Sequence, residues 1–175
     1  MSLENLLSDK RSKIIKKWRD VIVETYPGDT QRFLRKEKDQ FANPVGYVIA
    51  KEIETLYDEL IKEGGIDKIS ACLDNIIRVR AVQDFRPSSA IGFVLQLKMV
   101  IREELGDKAP MNGLSGEFRA LEDRIDNVAL LAFDIYSKCR QEIYEIRVKE
   151  VKNHLGKLLK QANLTIEIPE EKPDL

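Results

Sequence analysis

The sequence predicts an all-α protein, and three observations carry that expectation. Apolar residues recur every three or four positions in each long segment, proline and glycine fall between those segments, and no stretch longer than Thr165–Ile168 alternates with the two-residue period of a strand. The architecture expected is a five-helix bundle over residues 1–106, a linker over 107–116, a long C-terminal helix over 117–163 and a tail over 164–175.

The first helix carries Leu7, Ile14, Ile15, Trp18 and Ile22 on one face, with Ser2 as its cap. It stops at Tyr26-Pro27-Gly28, because Pro27 lacks an N–H and disfavours helix in the residue before it. Asp29 and Thr30 cap a short second helix through Phe33 and Leu34 to Lys38. Asn43-Pro44 starts the third, a side-chain acceptor followed by a preset φ, and Val45, Val48, Ile49, Ile53, Leu56 and Leu60 form its stripe. Gly64-Gly65 ends that helix and Asp67 caps the fourth, which buries Ile69, Cys72, Leu73, Ile76 and Ile77 before Pro87 interrupts it. The fifth runs from Ser88 to Leu105. Its apolar residues, including Ile91 and Leu95, sweep an arc of roughly 220° at 100° per residue, which predicts the most buried helix of the bundle. Gly106 closes it.

From Glu117 to Ala162 only Gly156 interrupts good helix formers. Phe118, Leu121, Ile125, Val128, Ala132, Ile135 and Cys139 follow a 3-4 spacing over three heptads, the seam of a coiled coil, and a homodimer through these residues is expected. Beyond Cys139 the spacing slips to Ile143, Ile146, Val151, Leu155, Leu158 and Ala162, as it does where packing partners change. Forty-odd helical residues span about 65–70 Å, so part of this rod must project from the bundle or pair.

Composition narrows the function classes. The 29 Lys and Arg offset 30 Asp and Glu, for a net charge of −1 and a pI near 6.0, so nucleic acid is not an expected partner. Charged residues make up 34% of the chain against a globular average of about 25%, which suits long solvated helix faces. No integral membrane segment is expected, since the most apolar stretch, Ala90–Val100, contains Gln96 and Lys98. Charges throughout residues 1–25 exclude a signal-peptide core, so a cytoplasmic location is expected. Cys72 and Cys139 have no CxxC or Cys/His company and read as reduced, packed thiols.

No constellation dictates a reaction. A bundle of this size is globin-like enough to raise haem, but the single histidine, His154, sits far along the last helix among Lys152, Asn153 and Lys157 and reads as a surface imidazole. Glu-x-x-His pairs, phosphate-cradling glycine loops and nucleophile elbows are missing, so neither a cofactor nor an enzymatic activity is expected. The informative polar residues continue apolar stripes. Arg80, Gln83 and Asp84 extend the buried face of the fourth helix, with Arg80 and Asp84 spaced i,i+4, and Lys98 interrupts the apolar arc of the fifth, where it snorkels or meets an acid such as Asp84. These four form either a structural ion pair at the turn Phe85-Arg86-Pro87 or a ligand-sensing polar pocket. Trp18, Phe41, Tyr47, Phe85 and Phe93 form either core or the lining of a cavity for a small apolar, fatty-acid-like ligand.

Four strings, Glu24-Thr25-Tyr26-Pro27, Phe41-Ala42-Asn43-Pro44-Val45-Gly46-Tyr47, Ile77-Arg78-Val79-Arg80-Ala81-Val82-Gln83-Asp84-Phe85 and Ile101-Arg102-Glu103-Glu104-Leu105, occur in the order in which the chain resembles the RsbRD N-terminal domain family. The resemblance covers residues 3–106. It implies a bacterial sensory or regulatory module, related to the non-haem globin sensors of the stressosome, which in longer relatives precedes a phosphorylatable STAS domain. No room for such a domain follows Ala162, so the output module is expected to be missing or separate. The resemblance carries over no catalytic residue. The function expected is therefore a non-enzymatic module that relays a signal, or scaffolds a regulatory protein partner, through the long dimerising helix; the rival is a carrier or sensor of a small apolar ligand.

Overall fold

A computed structural model describes residues 2–36, 39–106 and 114–162, and among these it contains seven helices and no strand. They are α1 (Leu3–Asp9), α2 (Arg11–Glu24), α3 (Gly28–Lys36), α4 (Pro44–Ile61), α5 (Ile66–Val82), α6 (Pro87–Leu105) and α7 (Ser115–Gln161). The all-α class stands. Most of the expected linker, over 107–113, and the tail from 163 onward lie outside the described residues.

The expected first helix is two helices. Ser2 caps α1 by accepting the Asn5 N–H, and the chain then breaks at Lys10. The buried Tyr57 hydroxyl donates to the Leu7 carbonyl at 3.1 Å, so a side chain from α4 takes an acceptor in the last turn of α1, a known cause of a helix bend. Asn43 caps α4 as its sequence predicts, accepting the Gly46 N–H at 2.8 Å, and Pro44 opens the helix. A Cβ at Gly46 would come within 2.3 Å of the Asn43 amide, so glycine here makes room for the cap.

At the end of α4 the left-handed residue is Glu63, with φ 54°, rather than either following glycine. Gly64 donates from its N–H to the Glu59 carbonyl at 2.8 Å, and a Cβ there would lie 1.8 Å from the Glu59 carboxylate; Gly64 serves close approach, not left-handed backbone. Helix α5 begins at Ile66 behind Gly65, so Asp67 lies inside the first turn instead of capping it. It ends at Val82, short of the expected Pro87.

The core joins these helices through Trp18, Ile22, Ile53, Leu73, Phe93 and Ile101, all essentially inaccessible. Helix α4 packs most closely on α5, and α2 on α6. The Trp18 indole N–H donates to the Phe93 carbonyl at 2.7 Å, so the largest core side chain leaves no donor unsatisfied. On α6 the buried face is narrower than expected, since Leu95 is exposed and Ile91 only half-buried. Cys72 and Cys139 are buried thiols, and burial pushes the Cys72 thiol up to about 12.

Residues Met1–Cys139 form one compact unit and Arg140–Leu175 a second. The first unit thus includes the opening turns of α7. Leu121, Ile125, Val128, Ala132 and Cys139, expected as a dimer seam, are buried within their own chain, while Phe118 and Ile135 are half-buried. Polar contacts fix this packing: Glu117 accepts the Leu3 N–H at 2.8 Å, Arg124 donates to the Leu60 carbonyl at 2.6 Å, and Arg102 pairs with Glu122 at 2.5 Å. A 3-4 stripe requires a covering helix but does not say whose it is.

Arg11 grips both oxygens of Asp58, at 2.7 and 2.9 Å, and this hydrogen bonding holds the Asp58 carboxyl below its ordinary value. A lowered folded-state value contributes stability that is present above the unfolded value and is lost as pH falls through the folded one. The urea midpoint should therefore fall as pH drops from about 5 towards 2, and Asp58→Asn should remove part of that slope; an unchanged slope in the variant would show that the pair adds nothing.

Candidate functional site

Arg80 is fully buried, with 0% of its surface exposed, in the last turn of α5. The sequence expects an acid beside it; among the described residues its hydrogen bonds go to neutral oxygens. Its Nη2 donates to the Thr25 hydroxyl at 2.9 Å and to the Ser89 carbonyl at 2.6 Å, while Nε and Nη1 have no protein acceptor. The guanidinium carbon lies 4.3 Å from the ring centre of Phe85, 5.5 Å from Tyr26 and 5.8 Å from Phe93. Arg80 is thus a cation in an aromatic box, held by neutral oxygens and ring faces. Burial pushes the guanidinium below its ordinary value, partly offset by Tyr26, and burial pushes the Tyr26 phenol up.

The turn after α5 builds one wall of the box. Asp84 takes φ 61°, the Phe85 N–H reaches back to the Arg80 carbonyl at 3.2 Å, and the Asp84 N–H reaches the Ala81 carbonyl at 3.3 Å. This is a Schellman closure with Asp in the left-handed place usually held by Gly. Its customary apolar contact between the third-last helical residue and the second residue beyond the cap becomes the stacking of Phe85 on Arg80. Tyr26 meets Phe85 edge-on at 5.0 Å and donates from its hydroxyl to Gln83 Oε1 at 3.0 Å. From the far side, the Tyr136 hydroxyl on α7 donates to the Phe85 carbonyl, tying the turn to the long helix.

The expected polar pocket is therefore only half assembled. Arg80 and Gln83 share the box through Tyr26, but Gln83 and Asp84 are exposed rather than inward-facing. Helix α5 ends at Val82, so the stripe's period no longer applies to them. Lys98 pairs with Asp126 on α7 at 2.6 Å rather than with Asp84. Beside that pair a groove of about 630 Å³ runs between α6 and α7, lined in part by Arg102, Phe118 and Asp123.

The five aromatics offered as an apolar pocket do not converge. Trp18 and Phe93 are core, with ring centres 6.0 Å apart, and Phe85 belongs to the Arg80 box. Phe41 is 86% exposed and Tyr47 44% exposed. Phe41 sits in the turn that precedes the Asn43 cap, its N–H bonded to Asp39 at 2.7 Å, and the turn points its ring outward. Sequence reasoning on its own periodicity missed Thr25, Tyr26 and Tyr136, which supply a hydroxyl, a ring and the tie to α7. The available signal lay in the strings Glu24–Pro27 and Ile77–Phe85, which meet at this site.

Among the described residues no group of three or more His, Cys, Asp or Glu could hold a metal ion, and no helix is long and apolar enough to cross a membrane. His154 is exposed on α7.

The sequence model of the family described as "RsbT co-antagonist protein rsbRD N-terminal domain" matches residues 12–151, which extends the resemblance well into α7. A protein of Archaeoglobus fulgidus, described only as an uncharacterized protein, is 26% identical over 146 residues, covering 80% of this chain and 83% of its own length. No solved structure matches.

Because Arg80 has no carboxylate partner, its charge and its volume are separable. Arg80→Ala should lose about 2–4 kcal/mol through the cavity it leaves, whereas Arg80→Met, which fills the box without a charge to desolvate, should be neutral or more stable. Urea denaturation of the two variants checks this, and a Met variant as weakened as the Ala variant would mean that the charge itself holds the box together.

Proposed function

The chain belongs to the RsbT co-antagonist protein rsbRD N-terminal domain family, and from that premise we propose that it is a non-enzymatic sensory module of stress signalling whose receiver is the Arg80 box and whose output is α7. One observation carries the reading: a fully buried cation with two nitrogens lacking protein acceptors, under a turn whose backbone is bonded to the long helix.

A buried, unpaired guanidinium is costly to maintain and would be better replaced by an apolar side chain if stability were all it served. A small anion supplies what the box lacks, countercharge and acceptors for Nε and Nη1. Entry requires the Phe85 ring to swing from the guanidinium, and the turn carrying it is short, exposed at Gln83 and Asp84, and closed by a left-handed Asp. Any such movement displaces the Phe85 carbonyl and with it the Tyr136 hydroxyl. Helix α7 continues without interruption from Tyr136 to Gln161, so a shift at one end is delivered along it. We assign the output surface to the part of α7 beyond Cys139, where apolar residues such as Val151 and Leu155 are exposed.

The test is thermal unfolding of the purified chain against formate, nitrate, bicarbonate and inorganic phosphate, with Arg80→Met in parallel. At least one anion should raise the melting temperature of the parent and leave that of Arg80→Met unchanged. Tyr136→Phe should keep the stabilisation but lose the accompanying change in hydrogen-exchange protection along α7. Shifts that are equal in parent and Arg80→Met, or absent with every anion, would remove the Arg80 box as receiver.

A further inference from the structure

Apart from Arg80, one cation of the bundle holds a place on an apolar row without a partner. Ile15, Arg19 and Val23 follow one another at intervals of four along α2, so they share one face of that helix. Ile15 and Val23 are buried, and Arg19 between them is half-buried. Among the described residues Arg19 makes no hydrogen bond or ion pair. Its side chain lines a cleft of about 210 Å³ where α2, α3 and α4 meet. Val23, Leu34 and Ile49 give the cleft apolar walls, and the more exposed Arg35 and Tyr47 complete its lining.

The acids nearby are directed elsewhere. Among the described residues no carboxylate lines the cleft. Asp20 and Glu24 approach Arg35 at 3.9 and 3.7 Å, too far for hydrogen bonds, so the Arg35 fork stays open as well. Asp20 follows Arg19 directly in the helix, and successive helical residues point to different faces. Glu54 lies in an adjoining cleft that Arg19 also lines, and it pairs there with Arg11 at 3.6 Å. Arg19 therefore keeps its whole donor set beside an apolar wall.

That combination selects a ligand with two unlike ends. A planar carboxylate meets a guanidinium in two parallel hydrogen bonds, and a hydrocarbon tail suits the walls. The cleft of about 210 Å³ holds about seven groups the size of a water, at about 30 Å³ each, which limits the tail to about four to six carbons. We propose that this cleft binds a short-chain monocarboxylate, its carboxylate on Arg19 with Arg35 and Tyr47 beside it and its tail against Val23, Leu34 and Ile49. The site shares no residue with the Arg80 box, and its chemistry does not depend on the sensory reading.

The experiment is isothermal titration calorimetry of the full chain with hexanoate, hexanamide and inorganic phosphate. Hexanoate should bind at least about tenfold more tightly than hexanamide, which keeps the tail without the charge, and than phosphate, which keeps the charge without the tail. Arg19→Gln should weaken hexanoate binding at least about tenfold while leaving thermal unfolding unchanged, since Arg19 holds no other group. Arg80→Met should bind hexanoate like the parent, so failure here is distinct from failure of the Arg80 receiver. Hexanoate binding that is absent at millimolar concentration, that survives Arg19→Gln, or that is matched by hexanamide or phosphate would overturn the proposal. So would its loss in Arg80→Met.

Discussion

The guanidinium of Arg80 sets the terms for the end of the bundle where α2, α5, α6 and α7 come together. Moving an ion of that size out of water costs several kcal/mol even after relaxation. Two charge-assisted bonds, to Thr25 and Ser89, return about 1.5–3 kcal/mol each at most, and ring contacts of this kind add about 0.5–2. Compensation comes from groups that are not themselves charged, so it depends on geometry to a degree that an Arg–carboxylate pair would not. Thr25 must stay at the C-cap of α2, where its hydroxyl also donates to the Ile22 carbonyl at 2.6 Å. Phe85 must stay folded back by the closure at Asp84. Each element near the box is therefore held by the need to solvate one buried charge.

That dependence explains why Tyr136 is more than a packing residue. The Phe85 carbonyl belongs to the residue whose ring covers the cation, and a hydrogen bond to that carbonyl reads the ring's position. Lys98–Asp126, Arg102–Glu122 and Arg124–Leu60 hold other stretches of α7 against the same unit, but they involve surface charges or a helix-end carbonyl. The contact at Phe85 is backbone-directed, short-ranged and seated on a turn, so it responds to rearrangement of the box where the ion pairs would simply re-form.

Much of this was legible in the sequence, and the misses share a physical origin. Period and punctuation located the helices because they report burial and the lack of an N–H at proline: Asn43-Pro44, Pro27 and Gly106 all mark true boundaries. The break at Lys10 leaves no mark in the hydrophobic period, and the hydrogen bond beside it, from the Tyr57 hydroxyl to the Leu7 carbonyl, comes from another helix. Glu63 and Asp84 were passed over because left-handed backbone is assigned by habit to glycine, whereas Asp tolerates it and Gly64 was needed for its missing Cβ. Arg80 was singled out correctly as a polar residue on an apolar stripe. Its partner was misassigned because i,i+4 spacing pairs charges only while the helix lasts, and α5 ends between Arg80 and Asp84.

The spacing slip at Cys139 shows how a hydrophobic period can be read correctly and attributed to the wrong neighbour. The two stripes of α7 differ in register because they answer to different surfaces. Up to Cys139 the stripe is buried by the chain's own helices, and the boundary between the two compact units falls at that residue. After it, a fresh 4-3 run begins at Tyr144, and its residues are exposed. Had one long homodimer covered the whole rod, a single register would serve. The change of register falls where the packing against the chain's own helices ends. The two stripes of α7 thus differ in what covers them: the first is buried by the chain's own helices, and the second is exposed.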